Sequence, residues 1–275
     1  MNHFLEKLHK RLNEMTEAEK DAWILSQAKL LPEYRQEDFY KSICGTKKVM
    51  GMPERDEIIQ FCKKVRNEDL AVLYETHYVE FDDYGHFHDE WEYDFYDPEN
   101  AMGFLLSVVR GCHDLILLEE FESAFENLDE VLDLQFLIED HPDTDDSCED
   151  MWMDLDMAIQ ERLLEVNRED LLRDYIEACR HAVKDSKKAA EKIVSALEMT
   201  LFEDCKPERC ITITDQGQLL KEMKKKLTEA LGRYKKEFAE KSKKDRYYLS
   251  AYRDEKRISH IESLIQFFGK TGAMK

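Results

Sequence analysis

A chain of 275 residues that is 43% apolar can bury a sizeable core and is too hydrophobic for intrinsic disorder. Five prolines and nine glycines are too few turn-formers for a sheet-rich fold, so composition points to an all-α chain. The net charge of −21 is local: residues 67–161 hold 30 Asp and Glu against one basic residue, Arg110, while the flanks 1–66 and 162–275 are slightly basic.

Residues 2–14 and 16–31 read as two helices, the first with a stripe of Phe4, Leu5, Leu8 and Leu12 and the second with Ala22, Trp23, Ile24, Leu25 and Leu30 turned inward. Thr16 and Glu19 have the spacing of a capping box, the hydroxyl accepting a first-turn N–H and the carboxylate reaching back. A short helix to Ile43 completes a predicted N-terminal region, 1–45. Cys44–Met52 reads as a connector, and Pro53 opens the next helix at its first turn.

A pattern then recurs. Val65-x-x-Glu68-Asp69-Leu70-x-x-x-Tyr74 returns as Ile116-x-x-Glu119-Glu120-Phe121-x-x-x-Phe125 and as Val166-x-x-Glu169-Asp170-Leu171-x-x-x-Tyr175. Each copy has acidic residues where the positive end of a helix favours them, and an apolar or aromatic pair four apart on one face. Three copies predict three αα-hairpins stacked as a helical array over 53–203. In the middle copy, Glu120–Leu132 resembles the second helix of a tetratricopeptide repeat, with Ala124 at that family's small residue and Leu128 and Val131 on the packing face. Cys112 and Leu115 depart from the family's small residue and tyrosine. The resemblance, best over 101–138, implies a superhelical scaffold that binds other proteins.

Two acidic inserts interrupt this array, 75–97 and 139–150. After the third copy, Ser186–Met199 reads as an amphipathic helix with Ala189, Ile193, Ala196 and Leu197 inward, and Pro207 with Ile211–Thr214 breaks the helical pattern. Residues 215–270 then form a predicted basic C-terminal helical hairpin. One seam is Leu220, Met223, Leu227, Ala230 or Leu231, Tyr234 and Phe238, the other Tyr248, Ala251, Ile258, Ile261, Ile265 and Phe268, with lysines and arginines outside.

The chain shows no nucleophile elbow and no glycine-rich phosphate loop, so no catalytic residue is assigned. Asp143-x-Asp145-x-Ser147 begins like a calcium loop, but Cys148 stands where the turn needs glycine. Cys205 and Cys210 form a C-x4-C with no second pair of ligands. Seven scattered cysteines fit a reducing compartment, and no leader or membrane-length apolar run is present, so a cytoplasmic location is expected.

The insert 75–97 is the candidate site. Tyr78, Phe81, Tyr84, Trp91 and Tyr93 stand among Asp82, Asp83, Glu90 and Glu92, and aromatic faces with carboxylates suit the cationic side chains of a basic protein segment. The expectation is a non-catalytic interaction protein without a cofactor, whose acidic face binds a basic partner. Two alternatives come from other classes. His86 and His88 with Asp83 and Glu90 offer a divalent metal site, and the acidity as a whole offers a nucleic-acid mimic that blocks a DNA- or RNA-binding protein. The basic tail can also fold back on the acidic block and match its charge internally.

Overall fold

The computed structural model describes residues 7, 10, 11, 15–30, 51–81, 87–142, 151–211, 217–244 and 251–271. The chain divides into two compact units, Met1–Lys48 and Val49–Lys275. In the first, α1 (Glu17–Leu30) starts as its sequence requires: Thr16 N–H donates to Glu19 Oε2 at 2.8 Å and Glu19 N–H to Thr16 Oγ1 at 3.3 Å. Trp23 and Leu25, expected inward, are exposed on α1. The helix expected up to Ile43 lies outside the described residues.

The second unit opens with α2 (Arg55–Arg66). Glu54 caps it reciprocally with Glu57, so Pro53 precedes the cap and does not occupy the first turn. Ile58, Phe61, Cys62 and Val65 form its buried face. Two long strands follow, β1 (Ala71–Phe81) and β2 (Phe87–Tyr96). The insert 75–97 is therefore a β-hairpin, and the all-α expectation gives way to a mostly helical fold with a four-stranded mixed sheet. Asp97 accepts from the N–H groups of Ala101 and Met102 at 2.8 Å each and starts α3 (Ala101–Leu117). Next come α4 (Phe121–Val131), β3 (Gln135–Asp140), β4 (Trp152–Asp154) and α5 (Leu155–Gln160). The chain continues through α6 (Arg168–Ala182), α7 (Ser186–Leu197), a 3-10 turn at Thr200–Phe202 and α8 (Pro207–Cys210). It ends in α9 (Gln218–Lys244) and α10 (Ala251–Thr271).

The recurring motif takes three different structures. In the first two copies it ends a helix. Glu68 and Glu119 both adopt left-handed backbone, φ 65° and 64°, and the next N–H bonds back to a carbonyl five residues earlier, Asp69 to that of Lys64 and Glu120 to that of Leu115, each 2.9 Å. After the first copy the chain enters β1; after the second it enters α4, as predicted. The third copy starts a helix, Asn167 capping α6 through the N–H groups of Glu169 and Asp170. What repeats is a way of terminating or initiating a helix, and only the middle copy is an αα-hairpin turn.

The strand order is β2-β1-β3-β4, with β1 parallel to β3 and the outer pairs antiparallel. Val72, Phe136, Ile138 and Met153 point from the sheet into one continuous core, where Phe61 stacks on Phe104 at 4.4 Å. The helices form a layered series in which α3 packs on α4, α4 on α6, α6 on α7, α7 on α9 and α9 on α10. The seam of α9 is buried at Leu220, Met223, Leu227 and Ala230, and that of α10 at Ile261, Leu264 and Phe268.

Helix α4 carries most of the polar ties between layers. Arg55 donates to the buried Asn127 Oδ1 at 2.7 Å, and Arg66 reaches Glu130 at 3.1 Å and Asp133 at 3.2 Å. Asp129 accepts from the Tyr175 hydroxyl at 2.9 Å and from Lys192 at 2.7 Å. Burial, with the Asp129 charge beside it, pushes the Tyr175 phenol far above its usual range. His113 on α3 meets Asp174 on α6 at 2.8 Å, and this hydrogen bond raises the imidazole above its ordinary value. Burial pushes the Cys112 thiol up to about 12, so it behaves as a packed apolar group.

Left-handed backbone costs a side-chain-bearing residue about 1–2 kcal/mol relative to glycine. Glu68→Gly and Glu119→Gly are each expected to raise unfolding free energy by about 1 kcal/mol in urea titration, offset in part by glycine's greater freedom in the unfolded chain.

Candidate protein-binding surface

The site grows out of the pairing of β1. Over Ala71–Tyr74 this strand pairs with β3 along one side, and from Leu73 with β2 along the other. His141 N–H donates to the Tyr74 carbonyl at 2.7 Å and closes that stretch. Among the described residues, the strand paired with β1 from Glu75 onward is β2, through a register irregularity between Val79 and Phe81. The hairpin runs on past its pairing with β3 by roughly 20 Å at the usual strand rise.

Residues directly opposite in an antiparallel pair share a face. Tyr74 opposes Phe95, Thr76 opposes Tyr93 and Tyr78 opposes Trp91. This side continues the core face. Tyr74 and Phe95 pack against the core with ring centroids 5.3 Å apart, and Thr76 is 5% exposed. Farther out the core ends while the aromatic series goes on, leaving Tyr93 53% and Tyr78 49% exposed.

The opposite side is acidic. Leu73 opposes Tyr96, Glu75 opposes Asp94, His77 opposes Glu92 and Val79 opposes Glu90. Glu75 and Asp94 are like charges in directly paired positions, an arrangement that destabilises a hairpin by about 0.2–1 kcal/mol. Glu75 accepts from the Tyr96 hydroxyl, which raises that phenol, and its carboxylate lies 3.8 Å from His141 Nδ1. Tyr96 and, at the far end of the sheet, Trp152 are each 42% exposed.

Among the described residues, the ion pairs of the basic tail lie away from this face. Cations of α9 and α10 pair with Glu191 at 3.3 Å, Glu198 at 3.2 Å, Asp204 at 3.0 Å, Asp254 at 3.0 Å and Glu262 at 2.6 Å, all outside 67–161. Within the acidic block the cations reach α4 and α5: Arg55 to Glu126 at 3.3 Å, Arg66 to Glu130, Lys192 to Asp129, and Arg168 to Asp156 at 2.6 Å. Among the described residues, Glu75, Asp94 and Glu139 on the sheet have no Lys or Arg partner. Where α10 approaches the sheet, a cleft of about 590 Å³ is lined by Lys241, Arg253 and Arg257 on one wall and Asp133 and Asp154 on the other.

Of the residues assigned from sequence, Tyr78 and Tyr93 are brought to one side of the hairpin, and the backbone carries Phe81, Glu90, Trp91 and Glu92 in its strands. Asp82, Asp83, Tyr84 and His86 lie outside the described residues, as does the calcium-like loop. Of the metal set, His88 and Glu90 fall in β2, and among the described residues no group of three or more His, Cys, Asp or Glu is arranged to hold a metal ion. Cys205 and Cys210 are both buried, and burial pushes their thiols up to about 12 and about 11. Glu75, Asp94, Tyr96 and Trp152 are site residues that the sequence expectation does not include. The strict alternation Glu90-Trp91-Glu92-Tyr93-Asp94-Phe95 is the signal that points to Asp94, because period two sorts residues by face; Glu75 and Trp152 join it only through strand pairing.

Compared with known proteins, the chain matches no family model, no curated protein and no solved structure. Among the described residues, no helix is long and apolar enough to cross a membrane.

Asp94→Lys turns the Glu75–Asp94 opposition into an attraction and is expected to stabilise the chain by about 0.2–1 kcal/mol. Urea midpoints at low and high salt check this, with the gain shrinking as salt screens it.

Proposed function

We propose that this chain is a protein-interaction module that binds a basic protein segment on the β1–β2 hairpin. The observation that carries the reading is the directly opposed pair Glu75 and Asp94, without a Lys or Arg partner among the described residues, on a hairpin whose other side bears exposed Tyr78 and Tyr93. Like charges held opposite one another cost folding stability and provide binding energy only when a cation arrives. The rings supply rigid contact area and cation–π surface for the same segment. Carboxylates on α4 are already engaged by Arg55, Arg66 and Lys192, so they serve the fold.

A nucleic-acid mimic is a special case of this reading, in which the basic partner itself binds DNA or RNA.

A photo-crosslinking residue in place of Tyr93 tests the reading directly. The expected result is a discrete adduct whose joined segment is rich in Lys and Arg and which disappears in about 0.5 M salt, where the Debye length falls to about 4 Å. An adduct that persists in salt, or a joined segment lacking basic residues, contradicts it.

A further inference from the structure

The two edges of the sheet differ. β4 ends one side with three residues, too short to take another strand, whereas β2 ends the other with ten. Among the described residues no strand pairs with the outer edge of β2. Long edges are ordinarily blunted by proline, charged side chains, bulges or burial under another element. Phe87–Tyr96 contains no proline and no lysine; its charges, Asp89, Glu90, Glu92 and Asp94, are all acidic, so they repel a like strand but not a basic one. Acidic residues fall at alternate positions, Glu90, Glu92 and Asp94, with Trp91, Tyr93 and Phe95 between them.

That alternation selects the occupant. A second copy of β2 added with its faces matched sets carboxylate against carboxylate, which is unfavourable. Shifting it by one residue turns the aromatic side of each copy onto the acidic side of the other. A foreign strand meets no such conflict when its own pattern is complementary. Lys or Arg at every second position lies beside Asp94, Glu92 and Glu90, and apolar residues at the intervening positions lie beside Phe95, Tyr93 and Trp91.

Resting on the interaction reading above, we infer that the basic partner binds as an added β-strand along the outer edge of β2, as an extended segment alternating Lys or Arg with apolar residues. Main-chain hydrogen bonds supply sequence-independent affinity, and the alternating faces supply selectivity. A segment of about six to eight residues matches the available edge.

The test uses the full chain and three labelled octapeptides with blocked ends: alternating Lys and Val, the same residues as a Lys block followed by a Val block, and alternating Glu and Val. The alternating Lys peptide is expected to bind at least tenfold more tightly than its block isomer, and the Glu peptide is expected not to bind. Hydrogen exchange of amides in 87–96 slows at least tenfold in the complex, and Glu92→Lys combined with Asp94→Lys abolishes both effects. Equal binding of the two Lys peptides, or binding without protection of 87–96, overturns strand addition while leaving the basic-partner reading standing. Failure of both Lys peptides to bind overturns both. Dimerisation of the free chain with protection of 87–96 assigns the edge to a second copy and also overturns the inference.

Discussion

The central constraint is the pairing of β1, which among the described residues joins β3 over its first four residues and β2 from Leu73 to the hairpin end. Over Ala71–Tyr74 it lies inside the sheet, with Val72 fully buried and Tyr74 packed on the core. Past Thr76 the same alternation persists while exposure rises at Tyr78 and Tyr93. The side chains that the pleat directs inward near the base become exposed rings farther out, and those it directs outward form an acidic face. Because strand periodicity is two, one register determines both sides, and a slip of one residue exchanges them. The anchored base, held by β3 and by the His141 N–H, therefore sets what the projecting part presents.

The helical layers make the acidity of 67–161 divisible into two kinds. On α4 and α5 the carboxylates are matched by Arg55, Arg66, Lys192 and Arg168, and the buried Asn127 and Tyr175 close their hydrogen bonds at the same layer. Exposed pairs of this sort contribute only about 0–1 kcal/mol each. The satisfied polar groups in the interior matter more, since an unpaired one costs about 1–3 kcal/mol. On the sheet, Glu75, Asp94 and Glu139 have no Lys or Arg partner among the described residues, and Glu75 meets only Tyr96 and His141. The basic hairpin α9–α10, a large reservoir of positive charge, is turned to α7 and the segment after it.

Much of the helical part is legible in the sequence. The Thr16–Glu19 box, the turn at Glu119, the inward face of α7 and the first half of the α9 seam follow from local chemistry and the 3.6-residue period, whereas α10 buries Leu264 where the expected stripe has Ile265. The β-hairpin is not. With nine glycines and five prolines in the whole chain, turn signals are scarce, and an acidic aromatic stretch inside a helical context resembles an insertion. The motif Glu68-Asp69-Leu70 misleads for a specific reason. A residue in left-handed backbone ends a helix without dictating the next element, so one motif precedes a strand at Ala71 and a helix at Phe121. The segregation of carboxylates and rings by face is visible in 90–95, yet it becomes a site only once the pairing with β1 fixes the register. That pairing is a tertiary fact.

A two-dimensional amide NMR titration of the full chain with hexalysine at low salt measures the central claim most directly. Shift changes confined to 75–79 and 90–96, saturating together and vanishing as salt is added, are the predicted result. Changes centred on α4 and α5, or spread evenly over every acidic residue, would contradict it.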